Sequence, residues 1–265
     1  MSKLEKAFYE LDQIERSKDQ ISQLSDFDPR SKIFVTLIFL IILLSIPLKK
    51  LDILILFFIF PIISCAMADI AYYKLFLRSL IILPFVLLIG IFNPIYDREV
   101  SFTIGKLAIT DGWISYISII VRGILSTQAV FVLIFSTGFH NICRGLERIG
   151  VPSLFVTQLL FVYRYIFVLL QETLSMERAK KSRSFGQRSF PVKIWGIFIG
   201  QLLIRTINRS ERIHLAMLSR GFNNSVPSLI YTHWRYKDSL YLILWASLFV
   251  LLRVIPVTRL YNMII

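Results

Sequence analysis

The chain has 265 residues, 55% of them hydrophobic and 14% aromatic, with Phe dominating the aromatic set. That richness excludes an ordinary soluble domain and points to an all-α, polytopic membrane protein. A formal charge of +13 would suggest nucleic acid in a soluble chain. Here the basic residues flank apolar runs, where the lipid bilayer's anionic headgroups and the positive-inside rule account for them, and no nucleic-acid partner is expected.

Residues 1–25 read as a charged, cytoplasmic N-terminal arm without an apolar stretch of signal-peptide type. Leu4, Ala7, Phe8, Leu11 and Ile14 fall on one helical face, which suits a helix lying along the membrane surface. Asp28 is a good N-cap and Pro29 suits the first helical position, so a helix start is predicted there. Apolar runs at about 33–48, 51–68, 75–95, 113–138 and 239–257 approach or reach the ~20 residues that cross a bilayer. Five crossings are expected: four within 26–138 and a C-terminal one within 238–265. The first is short because Lys49 and Lys50 end it, so it must start near Pro29. The third ends at Gly90 to Pro94, and the alternation in Val100–Ile104 allows a short hairpin in the polar loop that follows.

Arg122 lies inside the fourth run, where a guanidinium in hydrocarbon is costly unless paired or wet. It should face the bundle or another subunit; a functional role is the default reading, with snorkelling as the structural one. From residue 139 to 237 there are fifteen Lys or Arg against four Glu and no Asp, so this block should be cytoplasmic. An N-terminus inside and four crossings bring the chain back to that side. Lys49 and Lys50 then fall on the outer side, against the rule.

Within the block, 152–171 and 191–204 are apolar, and each continues without a breaker into a basic stretch. Two long helices of about thirty residues are predicted, their apolar halves resting against the bundle; charge alone leaves seven crossings open. Their ends repeat one pattern, Ala179-x-x-Ser182-Arg183-Ser184-Phe185 and Ala216-Met217-x-Ser219-Arg220-Gly221-Phe222. On the first helix Met176, Ala179, Lys180 and Arg183 share a face; on the second Ile213, Ala216, Met217 and Arg220 do. One such end is explained by Arg complementing the helix macrodipole. Two matching ends point to a partner gripping small and flexible apolar residues beside a guanidinium fork. Arg205, Arg209 and Arg212 form a further cationic stripe suited to lipid headgroups. No metal-ligand spacing, phosphate loop or nucleophile–base pair is present, so neither a cofactor nor a catalytic residue is expected. Cys65 and Cys143 imply no disulfide framework or metal-thiolate site.

At these residues the chain resembles the transmembrane T component of energy-coupling factor (ECF) transporters, in the cobalt-transport subgroup. That family carries a short Ala-Arg-Gly motif at the ends of two cytoplasmic coupling helices. Ser219-Arg220-Gly221 is a close match, whereas Ser182-Arg183-Ser184 keeps only the arginine. Asp28-Pro29-Arg30-x-Lys32, Phe92-Asn93-Pro94, the Arg122 region and Pro152 followed by Leu160 to Tyr165 extend the resemblance over roughly 26–257. It implies a multi-pass subunit of the bacterial cell membrane that binds neither ATP nor substrate. Its partners would be a dimer of ABC-type ATPase subunits and a small substrate-binding membrane subunit. The substrate class, cobalt, comes from the subgroup alone; related components serve other metals or vitamins. A self-contained secondary transporter is the rival, and would need its own polar site at the midplane.

Overall fold

The computed structural model describes residues 24, 27–48, 50–96, 100–104, 107–183, 192–223 and 233–254. Two compact units divide the chain, one comprising Gln20–Gly145 with Thr232–Ile265, the other built on Leu146–Tyr231.

In the first unit, α1 (Pro29–Leu44) begins where the sequence predicts: the Asp28 carboxylate accepts from the Arg30 N–H, and Pro29 opens the first turn. At 16 residues it is about 24 Å long, shorter than a bilayer's hydrocarbon core. Helices α2 (Leu51–Leu56) and α3 (Ile59–Met67) follow. Pro61, with no N–H to give, helps separate them into two pieces. Asp69 ends α3 in a left-handed conformation (φ 54°), with the Ile70 N–H reaching back to the Cys65 carbonyl.

Helix α4 (Tyr72–Ser79) runs through a 3₁₀ turn (Leu80–Ile82) into α5 (Leu83–Gly90), whose first turn contains Pro84. The short α6 (Asn93–Tyr96) leads to a two-stranded antiparallel hairpin, β1 (Val100–Ile104) with β2 (Leu107–Thr110), the one departure from helix among the described residues. Helix α7 (Asp111–Thr137) returns across the unit, and α8 (Phe139–Ile149) leaves it. Helices α5 and α7 approach closely: a Cβ on Gly90 would meet the Tyr116 ring at 2.7 Å, and one on Gly123 would meet Val86 at 2.8 Å. Helix α11 (Tyr236–Val254) completes the bundle.

Its core is aromatic. Val35, Phe39 and Leu43 form one buried face of α1, and Tyr241, Trp245 and Phe249 one buried face of α11. Ring centroids lie 4.6 Å apart for Phe39–Phe60, 4.9 Å for Phe60–Trp245 and 5.3 Å for Phe39–Phe249; each such pair is worth about 0.5–1.5 kcal/mol beyond its area. The outer faces are equally apolar: Ile41, Leu44, Phe85, Leu88, Leu251 and Val254 are each more than half exposed. Helices hydrophobic on every side require lipid around them.

Side-chain contacts fix the directions of the bundle helices. The Lys32 ammonium donates to the Ser136 carbonyl, and Arg122 donates to the Ile46 carbonyl, so α7 runs antiparallel to α1. Fourteen residues separate the two contacts on each segment, 32 to 46 and 122 to 136, Ile46 lying just past the end of α1. The Asp28 N–H donates to Asp238 at 2.8 Å and Arg253 to the Ser45 hydroxyl at 3.0 Å, which makes α11 parallel to α1. A first crossing outward, a fourth inward and a last outward is the expected order. Three helical stretches are long and apolar enough to cross by themselves: Tyr72–Gly90, Gly112–Thr137 and Ser153–Arg183. The third of these belongs to the block read as cytoplasmic.

Asp238 is fully enclosed, one carboxylate oxygen holding the Asp28 N–H and the other the Arg235 N–H at 2.8 Å. It caps its own helix and ties it to the start of α1. Asp238→Asn should lower stability by about 1–3 kcal/mol, because an amide has one acceptor for two donors. Thermal unfolding in detergent measures this, and Asp238→Ala should be no milder.

Candidate docking ends of a helical hairpin

The second unit is built on two long helices. Gly150, left-handed at φ 114°, and Pro152 end α8 and start α9 (Ser153–Arg183, 31 residues). Helix α10 (Val192–Leu218, 27 residues) follows. Both lengths match the sequence expectation. Only 11% of the apolar window of α9 is buried, and on α10 Ile197, Ile199, Leu203 and Ile204 are each more than half exposed.

Two contacts set the hairpin. Arg205 of α10 is ion-paired with Glu172 of α9, and the Phe222 ring lies 6.3 Å from the Phe161 ring. A later α9 position meets an earlier α10 position, so the helices are antiparallel. The repeated ends therefore do not sit side by side. Arg220 lies at the level of Phe161, and Arg183 is 22 residues further along α9, about 33 Å at 1.5 Å per residue.

The two ends share local chemistry. The Ser182 hydroxyl donates to the Arg178 carbonyl at 3.1 Å, and the Ser219 hydroxyl to the Leu215 carbonyl at 2.9 Å. Each serine is thus satisfied within its own helix. Ala179, Ser182 and Arg183 are exposed, as are Ala216, Ser219, Arg220 and Gly221, while Met217 and Phe222 are half-buried. What each end offers a partner is a small apolar step and a guanidinium. Lys181 beside the first end is ion-paired with Glu177 at 2.7 Å.

Gly221 has φ 77°, and the Phe222 N–H closes back on the Met217 carbonyl at 3.0 Å. This is the left-handed cap that glycine favours at a helix C-terminus. It turns the chain so that Phe222 folds back onto Phe161, and that contact orients the end carrying Arg220. Sequence reading missed Phe161. Its partner Phe222 lies 61 residues further on, and neither ring stands out in its own stretch of sequence. Ser184 and Phe185, and with them Gly186, lie outside the described residues.

Arg122 belongs to a different site. Its guanidinium donates to the Ile46 carbonyl beyond the end of α1, and Arg253 donates to Ser45 beside it. Two cations at a helix C-terminus oppose its partial negative charge and satisfy groups that have no helical partner. Arg122 faces the bundle as expected, and helix capping accounts for its placement. Cys143 is buried, and burial pushes its thiol above the usual range. Among the described residues no three His, Cys, Asp or Glu gather as a metal site would require.

Together these features define a polytopic α-helical membrane protein joined to a helical hairpin with two cationic ends. The chain belongs to the CbiQ cobalt transport protein family, whose profile matches residues 20–232. It is 25% identical over 139 residues to the cobalt transport protein CbiQ of Salmonella typhimurium, covering 48% of this chain and 61% of that one. It is 27% identical over 102 residues to the nickel permease LarQ of Lactiplantibacillus plantarum, covering 38% and 37%. With an uncharacterized protein of Methanocaldococcus jannaschii it shares 29% identity over 136 residues, 50% of this chain and 46% of the other. The chain spans about half the length of the curated relatives it matches.

Gly221→Ala should destabilise the turn by about 1 kcal/mol, since a Cβ strains a left-handed residue even where space is open. Hydrogen exchange at the Phe222 amide should quicken several-fold, with the bundle unaffected. Native Cys143 should resist maleimide at neutral pH, and a cysteine at the exposed His140 position should react readily in the same protein.

Proposed function

We propose that this chain is the non-catalytic coupling subunit of an ATP-driven importer for cobalt- or nickel-type ions in a cell membrane, with its N-terminus cytoplasmic. Arg183 and Arg220 each seat in a groove of one subunit of an ABC-type ATPase dimer. ATP binding and hydrolysis move the two grooves relative to one another. A hairpin pinned at Phe161–Phe222 and Glu172–Arg205 passes that motion to a small substrate-binding membrane subunit through its exposed apolar faces.

The antiparallel hairpin, with like ends about 33 Å apart, carries this reading. A dimer offers the same groove twice at well-separated places, and one chain bearing two copies of one anchor at separated places is complementary to it. Membership of the cobalt transport protein family and the likeness to a nickel permease support the ion class.

A second reading, a self-contained transporter, draws on Gln128. Its side chain is wholly buried in α7, it accepts from the Tyr72 hydroxyl at 3.4 Å, and among the described residues its amide nitrogen has no partner. Calorimetry on the purified chain separates the two: the coupling reading expects no tight cobalt or nickel binding, and a stoichiometric, tight isotherm favours the second.

Arg220→Glu and Arg183→Glu should each weaken ATPase attachment on the order of tenfold or more, because the acidic side chain removes a charge-assisted bond and adds repulsion. The double variant should abolish transport while keeping normal expression and detergent stability. Normal transport by the double variant would reduce both arginines to helix caps.

A further inference from the structure

The cationic stripe on α10 is not used by the docking ends. Arg205, Arg209 and Arg212 are exposed and stand at i, i+4 and i+7, within about 60° of one another around the helix. They line a groove whose other wall is Val168, Leu169 and Glu172 of α9. Glu172 is ion-paired with Arg205. The Arg212 Nε donates to the Asn208 carbonyl at 3.2 Å, and among the described residues its terminal nitrogens have no partner. Arg209 has no hydrogen bond or ion pair among those residues. Three guanidinium groups against one carboxylate leave an excess of two positive charges. The surrounding block cannot supply the missing anions. Of its other acidic residues, Glu177 is paired with Lys181, Glu211 lies on another face of α10 and Glu147 belongs to α8.

The N-terminal arm carries a matching row. It lies outside the described residues, and its part here rests on its sequence. Glu10, Asp12, Glu15 and Asp19 place four acidic residues within ten positions. On a helix Asp12, Glu15 and Asp19 fall within about 60° of one another, with Arg16 at the edge of that face and Lys18 off it. Their steps are three residues and then four. Read backwards along α10, Arg212, Arg209 and Arg205 also step by three and then four. We propose that the arm docks on the groove as a helix antiparallel to α10, with Asp12 against Arg212, Glu15 against Arg209 and Asp19 against Arg205. A parallel arm would leave the middle pair one residue out of step. Guanidinium forks match carboxylates in pairs, and Arg205 keeps N–H groups beyond the one that Glu172 takes. Arm and groove belong to one chain, so the contact is intramolecular and pairs that are weak singly act together. The acidic face lies roughly 80° from the middle of the apolar face of Leu4, Ala7, Phe8, Leu11 and Ile14, which leaves the latter to the membrane surface. The proposal rests on the arm and the hairpin sharing the cytoplasmic side, as set out above.

Double electron–electron resonance between spin labels at Gln13 and Ser210 tests this. The chain is otherwise cysteine-free and sits in phosphatidylcholine nanodiscs without ATPase. A docked arm gives a narrow distribution centred below roughly 30 Å, as two adjacent helices require. Raising the salt from about 0.05 to about 0.5 M should shrink that population. Arg209→Glu with Arg212→Glu should shrink it about tenfold. Adding Asp12→Arg and Glu15→Arg, which exchanges the charges, should restore it. A broad distribution with the native charges, insensitivity to both salt and the double reversal, or no recovery in a monodisperse charge-exchanged chain would each overturn the proposal. Narrowing only after phosphatidylglycerol is added would overturn it too, and assign the stripe to lipid. The first measurement keeps every native charge, so it stands even if a variant folds poorly. With no ATPase present, failure here leaves the docking role of Arg183 and Arg220 untouched.

Discussion

The antiparallel pinning of α10 onto α9 is the constraint on which the functional geometry depends. Two long helices with basic C-terminal ends can place those ends together or apart. The Glu172–Arg205 pair and the Phe161–Phe222 contact choose apart. The ion pair is partly exposed, so screening by water leaves it a modest contribution; its value is in register. The aromatic contact is held by a left-handed glycine turn, and it positions the cationic end against a specific level of the neighbouring helix. With both contacts in place the hairpin is a spacer of defined length.

The bundle has a different logic. Its core is a cluster of rings contributed by α1, Phe57 just after α2, α3 and α11, and the polar contacts among the described residues lie toward helix ends. Asp238 caps one end of the α1–α11 pair, while Arg122 and Arg253 serve the other. In hydrocarbon, where unsatisfied backbone groups are costly, such caps do the work that water does for a soluble helix. Arg122 illustrates how an intramembrane charge can be structural: its partner is a carbonyl beyond a helix end, where the macrodipole favours a cation.

Much of this was legible in the sequence. The start of α1 at Asp28–Pro29, the length of α9 and α10, the left-handed turn at Gly221 and the end of the third run at Gly90 follow from local rules of capping, proline and apolar length, and the structure has each of them. The mutual direction of α9 and α10 was not legible. Both carry apolar first halves and basic second halves, so neither charge nor periodicity distinguishes parallel from antiparallel packing. That choice rests on long-range pairs between residues such as Phe161 and Phe222, each unremarkable in its own window. The break at Phe57–Phe58 was hidden for a similar reason, since an apolar run containing one Pro reads as continuous. The hairpin of β1 and β2 was allowed by alternation in the first strand, while its partner strand Leu107–Thr110 has no such pattern. The docking role proposed for the two ends concerns chemistry with a partner, which sequence repetition suggests and the separation of the ends supports.

That separation is directly measurable. Spin labels on cysteines placed at Ser182 and Ser219, in an otherwise cysteine-free chain reconstituted in lipid, report the distance between the two ends by double electron–electron resonance. The antiparallel hairpin predicts a distribution centred on the order of 33 Å. A distribution centred below roughly 20 Å, as two neighbouring parallel helix ends would give at typical interaxial spacing, would contradict it.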